Sequence, residues 1–128
     1  ELVRGSVDWR LTAELVPANS EPRIGKAFNS AFEQTSLEDQ LSRLGTSHIV
    51  LAGAATNWCI RATAYAALER GYDLTLIKDG HTTEPVDAGD GQVVEPRSMI
   101  NDLNVAMAWL RYPGRTARAV PSGEIVFP

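Results

Sequence analysis

The sequence predicts an α/β fold built on an open, mostly parallel sheet. Two short apolar runs, His48 to Gly53 and Tyr72 to Ile77, have the length and composition of buried strands. Between them lies an alanine-rich segment, typical of a helix that packs closely on a sheet, and Gly71 is its predicted end. Strand, helix and strand at this spacing make a βαβ unit, so we expect an open sheet with helices on both faces.

Local signals place the elements that come before this unit. Ile24 to Phe28 is predicted as a short strand. Thr35 to Glu38 has the pattern of a capping box, in which the threonine accepts from the N3 amide and the glutamate reaches back. The apolar residues that follow repeat at helical spacing and predict a helix that ends at Gly45. Thr56 or Asn57 is predicted to cap the helix of the βαβ unit.

The C-terminal third is predicted to complete the same domain. His81 to Glu95 is polar and is predicted as a loop. Pro96 to Arg111 is predicted as a helix, and Ala117 to Val120 as an edge strand. The apolar stripe of that helix comprises Ile100, Leu103, Met107 and Leu110. Because no repeat or linker divides the chain, residues 1–128 are predicted to form a single domain.

Composition excludes several classes of function. The net charge is −4, which gives no electrostatic footprint for nucleic acid or for an anionic membrane surface. No apolar run approaches the roughly 18 residues that a membrane span requires. The chain has one cysteine, so it has no internal disulfide and suits a reducing compartment. We therefore expect a cytoplasmic protein with neither nucleic acid nor membrane as a partner.

Cys59 lies where an open α/β sheet binds its ligands. It follows a predicted strand and falls in the first turn of the next helix. The unpaired amides and the helix dipole at that position favour the thiolate, which is the reactive form, and the same amides suit the oxyanion of a tetrahedral intermediate. The alternative is that Cys59 is a small buried hydrophobic residue.

Other candidate side chains allow two interpretations each. Lys26 is either a solvated charge on an edge strand or an ammonium close to the thiolate. Asp79, at the end of a strand, either binds substrate or caps the loop to His81. His81 is an alternative base for Cys59, and Trp58 is a candidate wall of a substrate pocket. Neither histidine has a second ligand at metal spacing, so we predict no metal and no cofactor.

Three ordered motifs resemble the isochorismatase-like cysteine hydrolases. The stretch Gly53 to Ile60 (GAATNWCI), with Thr63-Ala64 and Gly71-Tyr72 after it, resembles the signature around that family's nucleophile. Lys26 to Phe32 (KAFNSAF) resembles the lysine segment, and Asp79 to Thr82 (DGHT) the stretch after the next strand. The resemblance covers roughly residues 24–82 and weakens towards residue 110.

The resemblance implies a fold, a reaction and a set of site residues. The fold is a three-layer α/β/α, Rossmann-like arrangement around a mostly parallel sheet. The implied triad is cysteine, lysine and aspartate, with Cys59 as the nucleophile and Lys26 as its positively charged partner. A cis peptide between Ala54 and Ala55 is also implied, with the backbone amides of Ala55 and Cys59 as the oxyanion hole. Asn57, Trp58 and His81 are our predicted substrate-binding residues.

The implied activity is hydrolysis of a small amide, ureido or similar C–N substrate through a covalent intermediate. It needs no metal, and the protein is expected to be a homo-oligomer, a dimer or a tetramer. The cysteine argues against the members that cleave isochorismate, which resemble this sequence but do not use that thiol.

The sequence departs from the family pattern at the third catalytic position. The family's aspartate ends its first strand, and no segment here matches it. We therefore expect the first strand and helix of the domain to be missing from this sequence, and with them any metal ligands of the nicotinamidase type. The alternative is a catalytically inactive member that acts as a binding or assembly module.

Overall fold

A computed structural model describes residues 3–127, and its centre is a three-stranded parallel sheet. The helices are α1 (Leu37–Arg43), α2 (Arg61–Glu69) and α3 (Pro96–Trp109). The strands are β1 (His48–Ala54), β2 (Asp73–Thr82), β3 (Val86–Gly89), β4 (Gln92–Val94) and β5 (Ala117–Val120). The sheet order is β1-β2-β5, while β3 and β4 form a separate antiparallel hairpin. The α/β class, the parallel sheet and the edge strand β5 are confirmed, and the predicted domain extends at both ends beyond the described residues.

The hydrophobic core lies on one face of the sheet. Each crossover steps in the same direction along the order β1-β2-β5, so right-handed connections bring α2 and α3 to the same face. Leu74 and Leu76 of β2 are fully buried there against Leu103 and Met107 of α3. Of the predicted stripe of α3, Leu103 and Met107 are fully buried and Ile100 and Leu110 are half-buried, while Met99, which was not predicted, is buried as well.

The opposite face of the sheet is more polar. Thr75 of β2 is fully buried, and its hydroxyl lies 2.8 Å from Arg118 Nε and 2.8 Å from His48 Nε2. A second layer of helices is not among the residues that the structure describes. Within that same part of the chain β1 is an edge strand, and Val50 is 38% exposed. The prediction of a buried strand is therefore correct in position but wrong in burial, because β1 pairs on one side alone.

Two predictions for the first third of the chain are wrong. Ile24 to Phe28 forms no strand, since it pairs with no described strand. The capping box does not form: Thr35 Oγ1 accepts from the Leu37 amide at 3.3 Å instead of the N3 amide. Glu38 pairs with Arg70 on α2, with Oε2 and Nε 3.1 Å apart, instead of reaching back. The predicted end of α1 is confirmed: Gly45 follows it with a φ of +65°, which glycine tolerates best.

The prediction of a loop from His81 to Glu95 is also wrong. β2 continues to Thr82, and the hairpin β3–β4 occupies most of the remainder. The extra length comes from an irregular ladder, in which β2 advances five residues from Leu76 to His81 while β1 advances two. The extra residues of β2 form a bulge between Leu76 and His81, and Asp79 in this bulge is exposed at the surface. In residues 3–127, no helix is long and apolar enough to cross a membrane.

Candidate active site

The connection from β1 to α2 makes a wide turn around Cys59. Gly53 has a φ of +127°, and a Cβ there would lie 3.4 Å from Ile60 Cδ1, so glycine suits the position. The Ala54–Ala55 peptide is cis, as the resemblance implied. A π turn, Thr56–Ile60, follows, and the Ile60 amide donates to the Ala55 carbonyl at 3.2 Å. Neither Thr56 nor Asn57 caps the turn through its side chain, so that prediction is wrong.

The structure brings Lys26 and Cys59 together. The Lys26 ammonium donates to Cys59 Sγ at 3.0 Å. Its other donors meet the backbone carbonyls of Phe28 at 2.9 Å and Asn29 at 3.4 Å. Cys59 is half-buried, so its sulfur is neither sealed in the core nor fully open to solvent. An ammonium in contact with sulfur stabilises the thiolate over the neutral thiol, which is what a cysteine nucleophile requires.

His81 lies beside the same turn but faces the protein interior. Its ring is 5% exposed, with Nδ1 2.9 Å from the Thr56 hydroxyl and Nε2 3.1 Å from Asn104 Oδ1. The Asn104 amide nitrogen donates to the Lys78 carbonyl, so its oxygen accepts from His81 Nε2–H. His81 Nδ1 then accepts from Thr56. Both ring nitrogens are occupied, so His81 fits neither the predicted substrate contact nor a Cys–His pair.

The two remaining predicted substrate residues differ in their surroundings. Trp58 is 50% exposed next to Cys59 and keeps an open face. Asn57 is half-buried, and its side-chain oxygen accepts two hydrogen bonds from Arg61, at 2.9 and 3.2 Å. Arg61 in turn pairs with Asp102 of α3 at 2.5 Å. Arg61 was not among the predicted site residues, although its four-residue spacing from Asn57 is the signal that places the two on one helix face.

Asp79 has a structural partner in the segment that follows β5. Its carboxylate accepts from the Ser122 backbone amide and from the Ser122 hydroxyl, both at 2.7 Å. These hydrogen bonds lower the pKa of Asp79 below its ordinary value of 3.8. Asp79 therefore tethers the segment after β5 instead of capping the loop to His81.

The Lys26–Cys59 pair has no carboxylate partner among the described residues, 3–127. The same part of the chain contains no group of three or more histidine, cysteine, aspartate or glutamate side chains arranged to hold a metal ion.

Comparison with known proteins identifies the family. The isochorismatase domain model matches residues 1–99, so the chain belongs to the isochorismatase family. It is 31% identical over 83 residues to streptothricin hydrolase from Streptomyces noursei, covering 65% of this chain and 33% of that protein. It is 32% identical over 79 residues to maleamate amidohydrolase from Pseudomonas putida, covering 62% of this chain and 37% of the relative.

Solved structures support the fold. A cysteine hydrolase from Pseudomonas syringae pv. phaseolicola superposes with a TM-score of 0.86 at 20% identity, covering 96% of this chain and 55% of that one. At that identity the likeness shows the isochorismatase-like fold alone. The chain thus spans about a third of the length of these curated relatives and just over half of this solved structure.

Proposed function

We propose that the protein hydrolyses a C–N bond, amide, ureido or similar, in a small molecule, with Cys59 as the nucleophile. The observation that carries the proposal is the 3.0 Å contact between the Lys26 ammonium and Cys59 Sγ. The contact lies beyond the carboxyl end of β1, where open α/β sheets bind ligands. Two relatives in the same family are named as a hydrolase and an amidohydrolase, which supports this class of reaction.

The proposed reaction has two steps. The Cys59 thiolate attacks the substrate carbonyl carbon, and the backbone amides of Ala55 and Cys59 are proposed to hold the resulting oxyanion. Collapse of the tetrahedral intermediate breaks the C–N bond, and the nitrogen leaves after taking a proton from the Lys26 ammonium, which the attacking water later restores. Water then attacks the thioester, releases the acid and regenerates the cysteine. Lys26 stabilises the thiolate and assists the proton transfers, and no metal takes part.

Substitution of Cys59 by alanine tests the proposal. Turnover of a panel of small amides, ureides and carbamates is compared for Cys59→Ala, for the surface control Ser42→Ala and for the unaltered protein. We expect Cys59→Ala to lower kcat/KM by more than about 10⁴-fold, because no other thiol replaces the nucleophile. Ser42→Ala should retain full activity, since Ser42 is exposed on α1. Substantial turnover by a folded Cys59→Ala variant would exclude the mechanism.

A second candidate function is a non-catalytic binding or assembly module. It is favoured by the lack of a carboxylate partner for Lys26 and Cys59 among residues 3–127. Alkylation distinguishes the two: a nucleophilic Cys59 reacts rapidly in the native protein near neutral pH, whereas an inert thiol reacts only after unfolding.

We also propose a homo-oligomer, a dimer or tetramer, in the cytoplasm. Sedimentation equilibrium gives its stoichiometry, and a monomer at micromolar concentration would contradict the proposal.

A further inference from the structure

Thr63 links the helix that follows Cys59 to the segment that carries Lys26. Thr63 lies on α2, four residues after Cys59, and belongs to the Thr63-Ala64 part of the motif around the cysteine. The residue is 7% exposed. Its hydroxyl oxygen accepts a hydrogen bond from the Ala31 backbone amide at 3.0 Å. We propose that Thr63 is a positioning residue that sets the distance between the Lys26 ammonium and the Cys59 sulfur.

The geometry of the two contacts supports this role. Among the described residues, two hydrogen bonds join the segment 26–31 to the cysteine turn and its helix, Lys26 to Cys59 and Ala31 to Thr63. Cys59 and Thr63 are about one helical turn apart, so the segment is fixed to one side of the helix at two heights. A segment held at one point pivots, whereas a segment held at two points keeps a defined distance.

The segment also transmits this restraint to the ammonium. Lys26 Nζ donates to the carbonyls of Phe28 and Asn29, which lie three and two residues before Ala31. The Ala31 carbonyl accepts from the Thr35 hydroxyl at 2.5 Å, so both backbone polar groups of Ala31 are bound by threonines. Displacement of Ala31 therefore moves the carbonyls that aim the ammonium at the sulfur.

Burial makes the Thr63 bond costly to lose. Phe32, the next residue, is 5% exposed and stacks on Tyr72 with ring centroids 6.0 Å apart. That ring holds the end of the segment near α2, and without the threonine acceptor the Ala31 amide, which is partly buried, has no partner at this position. An unpaired, partly buried amide favours a shift of the backbone towards solvent, with Phe32 as the fixed point. That shift would carry the Lys26 segment away from Cys59.

The test uses the rate at which iodoacetamide alkylates the single cysteine of the native protein near neutral pH. Thr63→Val keeps the shape of the side chain but removes the acceptor, and Thr63→Ser keeps the acceptor. We expect Thr63→Val to slow alkylation about tenfold, and Thr63→Ser to stay within about twofold of the unaltered rate. Equal rates for the valine and serine variants would overturn the proposal.

A double variant separates positioning from a general structural effect. In a Lys26→Met background, Thr63→Val should slow alkylation no further, because Thr63 acts through the ammonium. A tenfold effect that persists without Lys26 would show that the hydroxyl supports the helix itself and would overturn the proposal. If circular dichroism shows that Thr63→Val does not fold, Thr35→Val takes its place. That variant removes the hydrogen bond to the Ala31 carbonyl. It should also slow alkylation, and only when Lys26 is present.

The inference rests on the proposed function only for the catalytic importance of the Lys26–Cys59 pair. Alkylation reports the contact whether or not a substrate is turned over. Slower alkylation in Thr63→Val together with full turnover by Cys59→Ala would remove the proposed function and leave the positioning role intact. Unchanged alkylation in Thr63→Val with loss of turnover in Cys59→Ala would remove the positioning role and leave the proposed function intact.

Discussion

Replacing His81 by leucine should destabilise the fold through the Thr56 hydroxyl. Thr56 is fully buried, and His81 Nδ1, 2.9 Å away, is the acceptor assigned to its hydroxyl. Leucine fills much of the space of the ring but accepts no hydrogen bond. An unsatisfied buried hydroxyl costs about 1–3 kcal/mol. The Asn104 side-chain oxygen also loses its hydrogen bond to His81, but Asn104 is half-buried and its oxygen can accept from water instead. This loss therefore adds less to the destabilisation.

The assay is urea unfolding at neutral pH, followed by circular dichroism. With a slope of about 1–3 kcal/mol per molar urea, the expected loss lowers the unfolding midpoint by about 1 M. Thr56→Val alone should cost a comparable amount, because it leaves His81 Nδ1 unpaired in the interior.

The double variant gives the decisive comparison. His81→Leu with Thr56→Val removes both members of the hydrogen bond, so neither orphaned group remains. We expect the double variant to be at least as stable as His81→Leu alone, which corresponds to a coupling of about 1–3 kcal/mol. If the two losses add to within about 0.5 kcal/mol, the two side chains act independently and the assigned network is refuted.

Two further predictions concern the irregular part of β2. Gly80→Ala should lower the free energy of unfolding by about 1–3 kcal/mol, because the new Cβ would lie 2.6 Å from Ile77 Cγ2. Thermal melts check this against Gly123→Ala, where nothing lies within 4 Å, and equal melting temperatures would contradict it. Asp79→Asn should reduce stability at pH 7. The folded-state pKa of Asp79 is lowered by Ser122, so the stabilisation is present above the ordinary value of 3.8 and is lost as the pH falls through the folded value. A stability difference between Asp79→Asn and the unaltered protein that persists unchanged at the lowest pH would contradict that account.

The predicted helices and strands were most accurate where periodicity and stop signals agreed. β1, α3 and β5 lie within about two residues of their predicted bounds, and Gly45 and Gly71 end their helices. Apolar spacing and a glycine with positive φ are local properties, so the sequence expresses them directly. The strand at Ile24 to Phe28 failed for the opposite reason: a strand requires a partner, and no local pattern shows whether a partner is in reach.

The same distinction between local patterns and contacts of distant residues applies to the candidate site. The motif around Cys59 pointed to the turn after β1, and the resemblance placed Lys26 beside it. The burial of His81 was not predicted, because the residues that enclose its ring are distant in sequence. His81 is occupied by Thr56 and Asn104, residues 25 and 23 positions away in sequence.

Hydrophobic periodicity and ordered motifs, which can be recognised along the chain without a structure, were enough to predict the α/β class, the family resemblance, and the cysteine and lysine that we propose for the chemistry. Contacts between distant segments became visible only in the folded chain. Folding brings Lys26 within 3.0 Å of Cys59, joins Ala31 to Thr63 and encloses His81. These hydrogen bonds link residues tens of positions apart, so their partners are set only when the sheet and its crossovers have brought the segments together.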